Sequence, residues 1–316
     1  MIKLATQLPL VSSKSPIDHS SKVLLVGSCF SNNIGGKLER YRFMNLINPF
    51  GILFHPRAIE RFLTDVISEN PIDEESIVVR DGRFHYLFGH SQLSADSHKA
   101  LKNNIGKALI ETREFLKAGT HLILTLGTAW GYRAISTGNI VANCHKLPQH
   151  NFKKFLSTTK EIEDALTSIV DTIVAFNPAV EVLFTISPVR HLKDGFVENQ
   201  RSKAHLIAAV HSVIDNRDRV SYFPAYEIVM DELRDYRFYE RDLLHPNSLA
   251  IDIIWEKFVE SQISEEAQTL FPRIEEIYRG QAHRPNNPNS QAHEKFLERL
   301  AKKEMTLRDL LGQYGE

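Results

Sequence analysis

The sequence predicts an α/β fold, a three-layer α/β/α sandwich on a mostly parallel sheet, followed by a C-terminal helical tail. Three observations lead there. Short runs of β-branched and aliphatic residues recur and each stops at Gly or Ser-Pro, as strands buried on both faces do. Segments with helical spacing of apolar residues stand between these runs, which is the alternation of βαβ units. A polar stretch rich in Pro and Asn then separates this region from a charged amphipathic segment.

Taken in order, Lys22-Val23-Leu24-Leu25-Val26 is the first buried strand, closed by Gly27, and a helix is expected from Ser31-Asn32-Asn33 onward. His121-Leu122-Ile123-Leu124-Thr125-Leu126 before Gly127 and Val182-Leu183-Phe184-Thr185-Ile186 before Ser187-Pro188 are the next two strands. Helices are expected over residues 99–118, 159–176 and 198–214, the last with Ala204, Ile207, Ala208 and Val210 as its apolar face. A further helix starts near Asn247 and should carry Leu249, Ile251, Ile253, Ile254 and Phe258 inward. Residues 1–279 are read as one domain and 280–316 as linker and tail. The linker contains Pro285-Asn286-Asn287-Pro288-Asn289, and the tail, 292–314, has Phe296, Leu297, Leu300, Met305, Leu310 and Leu311 as its apolar set. Such a tail folds back on the body or packs on a second subunit in a homo-oligomer.

Composition narrows the class. Of 316 residues 42% are hydrophobic and 24% charged, the balance of an ordinary globular chain with a sizeable core. Lys plus Arg number 38 against 39 Asp plus Glu, so the basic footprint of a general nucleic-acid or anionic-membrane binder is missing. With only Cys29 and Cys144, no disulfide framework is expected. No apolar stretch approaches the roughly 20 residues of a spanning helix. The N-terminal run is broken by Pro9 and does not read as a secretory signal, so a cytoplasmic location is expected.

Two motifs carry chemistry. Gly27-Ser28-Cys29-Phe30-Ser31 follows the first strand and opens a helix, which puts Ser28 at the carboxyl edge of a parallel sheet, where open α/β folds bind ligands. The helix N-terminus adds unpaired N–H groups and partial positive charge, so the Ser28 amide is a candidate oxyanion donor. The plainer alternative is that Ser28 or Ser31 caps the helix. Asp242-Leu243-Leu244-His245-Pro246-Asn247 lies before the last predicted helix of the domain. Three-residue spacing in a turn lets the Asp242 carboxylate fix the imidazole tautomer while the other ring nitrogen faces a serine hydroxyl. Taken singly, such a pair often just caps a helix.

Together these residues resemble the SGNH-type esterases and lipases, in which a Ser after the first strand works with a late Asp-x-x-His. More closely, Gly27-Ser28-Cys29-Phe30-Ser31 resembles the signature of the GSCFA family, bacterial proteins placed near the SGNH hydrolases. Asn48-Pro49-Phe50-Gly51, Leu126-Gly127-Thr128-Ala129-Trp130, Val141-Ala142-Asn143-Cys144-His145-Lys146, Ser187-Pro188-Val189-Arg190-His191 and Asp194-Gly195-Phe196-Val197-Glu198-Asn199 extend the resemblance over roughly residues 20–260, leaving the tail outside. It implies an SGNH/flavodoxin-like sandwich, Ser28 as nucleophile, His245 as general base, Asp242 as its orienting acid, and Gly51 as a second oxyanion amide. The third block departs from the SGNH pattern: Gly127-Thr128-Ala129 has Ala where an Asn donor belongs, and Asn143, or Thr128, is the candidate replacement.

Other side chains have competing readings. Cys29 at a helix N-terminus is an alternative nucleophile with a depressed pKa. Cys144 and His145 are neighbours, and His85, His90 and His98 form an irregular trio, but no CxxC or HExxH motif exists and no metal is expected. Arg190 and His191 follow the third strand and either bind a substrate carboxylate or phosphate or, through Arg190 with Glu198 or Asp194, brace the loop. Thr128 and Trp130, with Tyr132, are candidates to line a substrate wall. No GxxxxGK[ST] loop is present and no cofactor is expected. The combined expectation is a serine hydrolase acting on a small-molecule or carbohydrate ester, such as an O-acetyl group, with an O-acyltransferase or a non-catalytic ligand-binding protein as alternatives.

Overall fold

Alternate residues of the buried strands point to opposite faces, and each face meets its own helix layer. A computed structural model describes residues 6–215 and 217–312; the first five residues, and the expected end of the tail at Tyr314, lie outside these. The elements run β1 (Lys22–Gly27), α1 (Cys29–Arg40), β2 (Met44–Ile47), α2 (Pro56–Ser68), β3 (Ile77–Arg80), β4 (Arg83–Tyr86) and α3 (His98–Lys117). After these come β5 (His121–Leu126), β6 (Trp130–Ala134), β7 (Ile140–Val141), β8 (Phe152–Leu156), α4 (Thr159–Phe176), β9 (Glu181–Ile186), α5 (Phe196–Ile214) and β10 (Val220–Phe223). Helices α6 (Ala225–Glu227), α7 (Ser248–Gln262), α8 (Glu265–Gln268), α9 (Phe271–Ala282) and α10 (Gln291–Gly312) complete the chain.

The central sheet has the order β10-β9-β5-β1-β2, and every pair in it is parallel. That is the flavodoxin-like arrangement, with its switch point at β1 and β5. Leu24, Val26, Leu122, Leu124, Phe184 and Ile186 face one layer, where Ile59, Phe62, Ile105, Leu166, Ile169 and Leu206 of α2 to α5 cover them. Val23, Leu25, Ile123 and Leu183 face the other, under Phe30, Ile34 and Leu38 of α1 and Ile254, Trp255 and Phe258 of α7. The three-layer sandwich follows from this division.

Two antiparallel excursions interrupt the βα alternation. The β3–β4 hairpin lies between α2 and α3, and the sheet β7-β6-β8 grows from the end of β5. Register places Gly27 beside Thr125 and Leu126 beside Ile186, so β1, β5 and β9 end side by side. Ser28, Gly127 and Ser187 therefore start three adjacent loops at one sheet edge.

Two helix faces differ from expectation. On α5 the buried stripe is Asn199, Ser202, Lys203, Leu206, Ala209, Val210 and Val213, while Ala204 and Ala208 point outward. The stripe keeps helical period but includes a lysine, which an apolar pattern passes over. On α7, Leu249 is exposed, and Ala250, Ile251, Ile254, Trp255 and Phe258 make the contact. The tail folds back on the body: Leu307, with Leu300, Leu310 and Leu311, packs on Leu270, Ile274, Ile277 and Tyr41. Helix α9 runs through residue 280 to Ala282, so the extended connection is 283–290. Among the described residues no helix is long and apolar enough to cross a membrane.

Candidate active site

The Gly27-Ser28 turn is dictated by close packing against β5. Gly27 has φ +149°, and a Cβ there would stand 2.2 Å from the Thr125 carbonyl oxygen, a position no other side chain tolerates. The next residue, Ser28, is 1% exposed, and its Oγ accepts the Phe30 amide at 3.2 Å as the N-cap of α1. Its own amide donates to Thr125 O at 3.0 Å, continuing the ladder. The Ser28 amide, expected to face an oxyanion, is thus committed to the sheet. Gly51 is similar: its φ is +73° and its amide closes a turn on Asn48 O at 2.7 Å. Asn48 also ties the two loops, accepting the Gly27 amide at 2.8 Å and donating to Asn32 at 2.7 Å. Two expected oxyanion amides therefore serve the loop scaffold, because a buried backbone N–H must find a partner.

The Asp242–His245 pair is assembled as the spacing implies. Asp242 Oδ2 lies 2.5 Å from His245 Nδ1, while Oδ1 accepts the amides of Leu244 at 2.9 Å and His245 at 3.0 Å. These amide bonds, then the imidazole, hold the Asp242 carboxyl down at about 2. Leu243 takes the left-handed conformation, and the turn is clamped by Glu240 N on His245 O and by a bridge between Tyr239 and Pro246. Asn247 caps α7 through Ala250 N and donates back to Arg237 O and Tyr239 O. The His245 side chain is 50% exposed, and no hydrogen bond joins it to buried Ser28. The expected triad thus stands as an acid–imidazole pair and a separate helix-capping serine.

Lys203 is the site residue that the sequence motifs do not reveal. It reaches from α5 under the strand ends, fully buried, and donates to Gly127 O at 2.8 Å and Ser187 O at 2.7 Å. Burial brings its pKa down to about 7. The signal for Lys203 is the period of α5, in which positions 199, 202, 203, 206, 210 and 213 share one side. Neighbouring Ser202 accepts the Ala129 amide at 2.7 Å and meets Thr128 Oγ1 at 3.0 Å, and Thr128 Oγ1 also accepts the Trp130 amide. Thr128, expected at the substrate wall or the oxyanion, is buried with its hydroxyl engaged by Ser202 and the Trp130 amide.

His191 sits over the end of β5, its Nε2 3.4 Å from where a Gly127 Cβ would be and its ring edge-on to Phe54. Burial, followed by the charges of Lys203 and His245, pushes it down to about 4. Arg190 does not brace the loop through an acid. Asp194 pairs with Lys154, Glu198 with Arg201, and Arg190 lies over the Tyr239 ring with Nη2 3.5 Å from Tyr239 Oη. Trp130 is covered by Lys154 at 4.6 Å and donates to Glu198 O, so its ring is part of the loop packing.

Asn143 accepts the His145 amide at 2.8 Å and donates its own amide to Leu87 O; no bond links it to Ser28. Burial raises both thiols, Cys144 to about 11, and Cys29 lies above its ordinary value despite amides of α1 and the charge of Lys203. Cys29 is therefore no activated thiolate, because desolvation outweighs the helix terminus. His85 lies tilted against His145 with ring centroids 4.7 Å apart, His90 Nδ1 accepts the Gln92 amide and His98 pairs with Glu74. Among the described residues no group of three His, Cys, Asp or Glu is placed to hold a metal.

A flavodoxin-ordered α/β/α domain with a serine at the β1–α1 turn and an Asp–His pair before its last large helix defines the class. The chain belongs to the GSCFA family, whose model matches residues 22–258. Residues 274–311 match the GSCFA domain protein, C-terminal domain, so the tail, expected to lie outside the family, has a counterpart within it. A search of curated proteins finds no match. Among solved structures, an acetyl esterase mutant with acetate ion is 10% identical, with 81% of this chain and 99% of that chain covered and a TM-score of 0.38. A Clostridium thermocellum family 3 carbohydrate esterase is 15% identical, covering 79% and 98%, with a TM-score of 0.33. An acetyl xylan esterase from the rumen bacterium Butyrivibrio proteoclasticus is 10% identical, covering 81% and 64%, with a TM-score of 0.39.

Proposed function

We propose that the protein is a serine hydrolase of acyl esters, with an O-acetyl group on a carbohydrate as the first class to test, working in the cytoplasm. The observation that carries this reading is the preassembled Asp242–His245 pair, whose Nδ1 is held by the carboxylate so that Nε2 is left to act as base. His245 takes the Ser28 proton as Oγ bonds to the acyl carbon, then returns it to the leaving alkoxide; water repeats the sequence on the acyl-enzyme. The reaction requires the exposed 240–246 turn to close on Ser28, a tightening common when substrate binds. Positive potential for the oxyanion comes from the α1 N-terminus and from Lys203 behind Gly127. Asn143 is the side-chain donor in this scheme. An acyltransferase would differ only in using an alcohol in place of water.

A second reading, ligand binding without turnover, is favoured by one specific observation: Ser28 Oγ and the Ser28 and Gly51 amides are all already hydrogen-bonded. Labelling with a fluorophosphonate, followed by intact-mass measurement of wild type and Ser28→Ala, separates the two. A single adduct lost in the variant supports the hydrolase; no adduct on wild type, with no release of acid from p-nitrophenyl acetate, supports the binder.

A further inference from the structure

We infer that the ligand of this site carries an anionic group, a carboxylate or a phosphate, and that Arg190 binds it; this deepens the esterase reading by naming the substrate class. The guanidinium offers five N–H donors in a fixed fork. Its contacts are distant ones, Tyr239 Oη at 3.5 Å and Met230 Sδ at 3.6 Å, with the Tyr239 ring 5.6 Å beneath. Partly buried arginines are normally matched by an acid, yet no carboxylate pairs with Arg190 among the described residues. Three acids of the loops around it are engaged elsewhere: Asp194 with Lys154, Glu227 with the Tyr222 hydroxyl and Asp235 with Arg237; Glu198 stands 3.7 Å from Arg201.

The position is tied to the candidate chemistry. The shelf under the guanidinium, Tyr239, is bridged to Pro246, the residue after His245, and Asn247 donates to its carbonyl. Chain neighbour His191 lies within the fields of both His245 and Lys203. Arg190 is the cation on this side of His245, whose own acid, Asp242, is spent on the imidazole. A planar carboxylate or a phosphate laid on Tyr239 would receive the fork in bidentate fashion.

The test is isothermal titration of the full chain with sodium glucuronate and, separately, with inorganic phosphate at low salt. Saturable binding of at least one is expected, and the preferred probe tells the carboxylate from the phosphate class. Arg190→Met should weaken that binding at least about tenfold, and Tyr239→Phe, which keeps the charge, by a smaller factor. Circular dichroism melts verify that each variant is folded, and Tyr239→Phe carries the test should Arg190→Met not fold. No saturable binding by wild type, or unchanged affinity in Arg190→Met and Tyr239→Phe, overturns the inference. The nucleophile is scored apart by fluorophosphonate labelling of Ser28, so anion binding without an adduct would sink the esterase reading and leave this one standing.

Discussion

Lys203 holds the carbonyl of Gly127 at 2.8 Å, joining the middle of α5 to the loop that follows β5. The same ammonium takes Ser187 O, so one buried side chain fixes the ends of two adjacent strands. Lys203→Met would leave both carbonyls without their donor. A loss of about 2–4 kcal/mol is expected, measured by urea unfolding.

The same lysine makes stability depend on alkaline pH. Its folded pKa is about 7, below the unfolded value of 10.5, so between these the unfolded chain binds the extra proton. Stability should therefore rise from pH 7 toward pH 9.5, by at most about 1.4 kcal/mol per unit. Above that range unfolded tyrosines ionise while Tyr41 and Tyr86 are held at about 12, and the trend turns over. Denaturation midpoints in steps across the window check this, and Lys203→Met should flatten the rise.

Acid acts through three histidines. His55, His145 and His191 are each pushed down to about 4 by burial, below the unfolded 6.5. Between these values the unfolded chain takes up more protons, so stability falls as pH drops from 6.5 to 4, by at most about 1.4 kcal/mol per unit for each. His55→Gln, which keeps a polar partner for Ser157, should shallow the slope measured by chemical denaturation at pH 6.5, 5.5 and 4.5.

Two glycines in one stretch should respond oppositely to alanine. Gly27→Ala drives a Cβ into Thr125 O at a φ side chains rarely adopt, and should cost about 3 kcal/mol or more. Gly36 lies within α1 with nothing within 4 Å of a built Cβ, so Gly36→Ala should gain about 0.5–1 kcal/mol. Thermal melts of the two variants give the comparison.

At the candidate site, Asp242→Asn keeps the turn but loses the charge that orients His245. If Ser28 is the nucleophile, its kcat on p-nitrophenyl acetate should fall by about 10²–10⁴ with little change in KM. Ser28→Ala should abolish turnover and, through loss of the α1 cap, cost about 1 kcal/mol in unfolding. Equal turnover in wild type and Asp242→Asn would count against an imidazole base.

Much of the frame was readable because the central strands β1, β5 and β9 are unbroken aliphatic runs buried on both faces. The edge strands β2 and β10 were not: four residues each, with exposed Met44 and Ser221, they lack both a run and a full alternation. The hairpin β3–β4 and the sheet β7-β6-β8 escaped for the same reason, since short half-exposed strands pair by context more than by composition. In the site, Ser28 and the Asp242–His245 turn announced themselves through local spacing. Lys203 did not, because its role depends on where α5 crosses the sheet. The commitment of the Ser28 and Gly51 amides likewise depends on tertiary contacts with Thr125 and Asn48.

Helix α1 is capped by Ser28 and ends where α9 and α10 are anchored: Arg40 and Tyr41 both bind Glu275 of α9, and Arg42 meets Glu304 of α10. Its twelve residues form a strut about 18 Å long. The two segments matched separately within the family thus meet at the end of α1. One helix thus has the serine turn at its first end and the anchorage of α9 and α10 at its last.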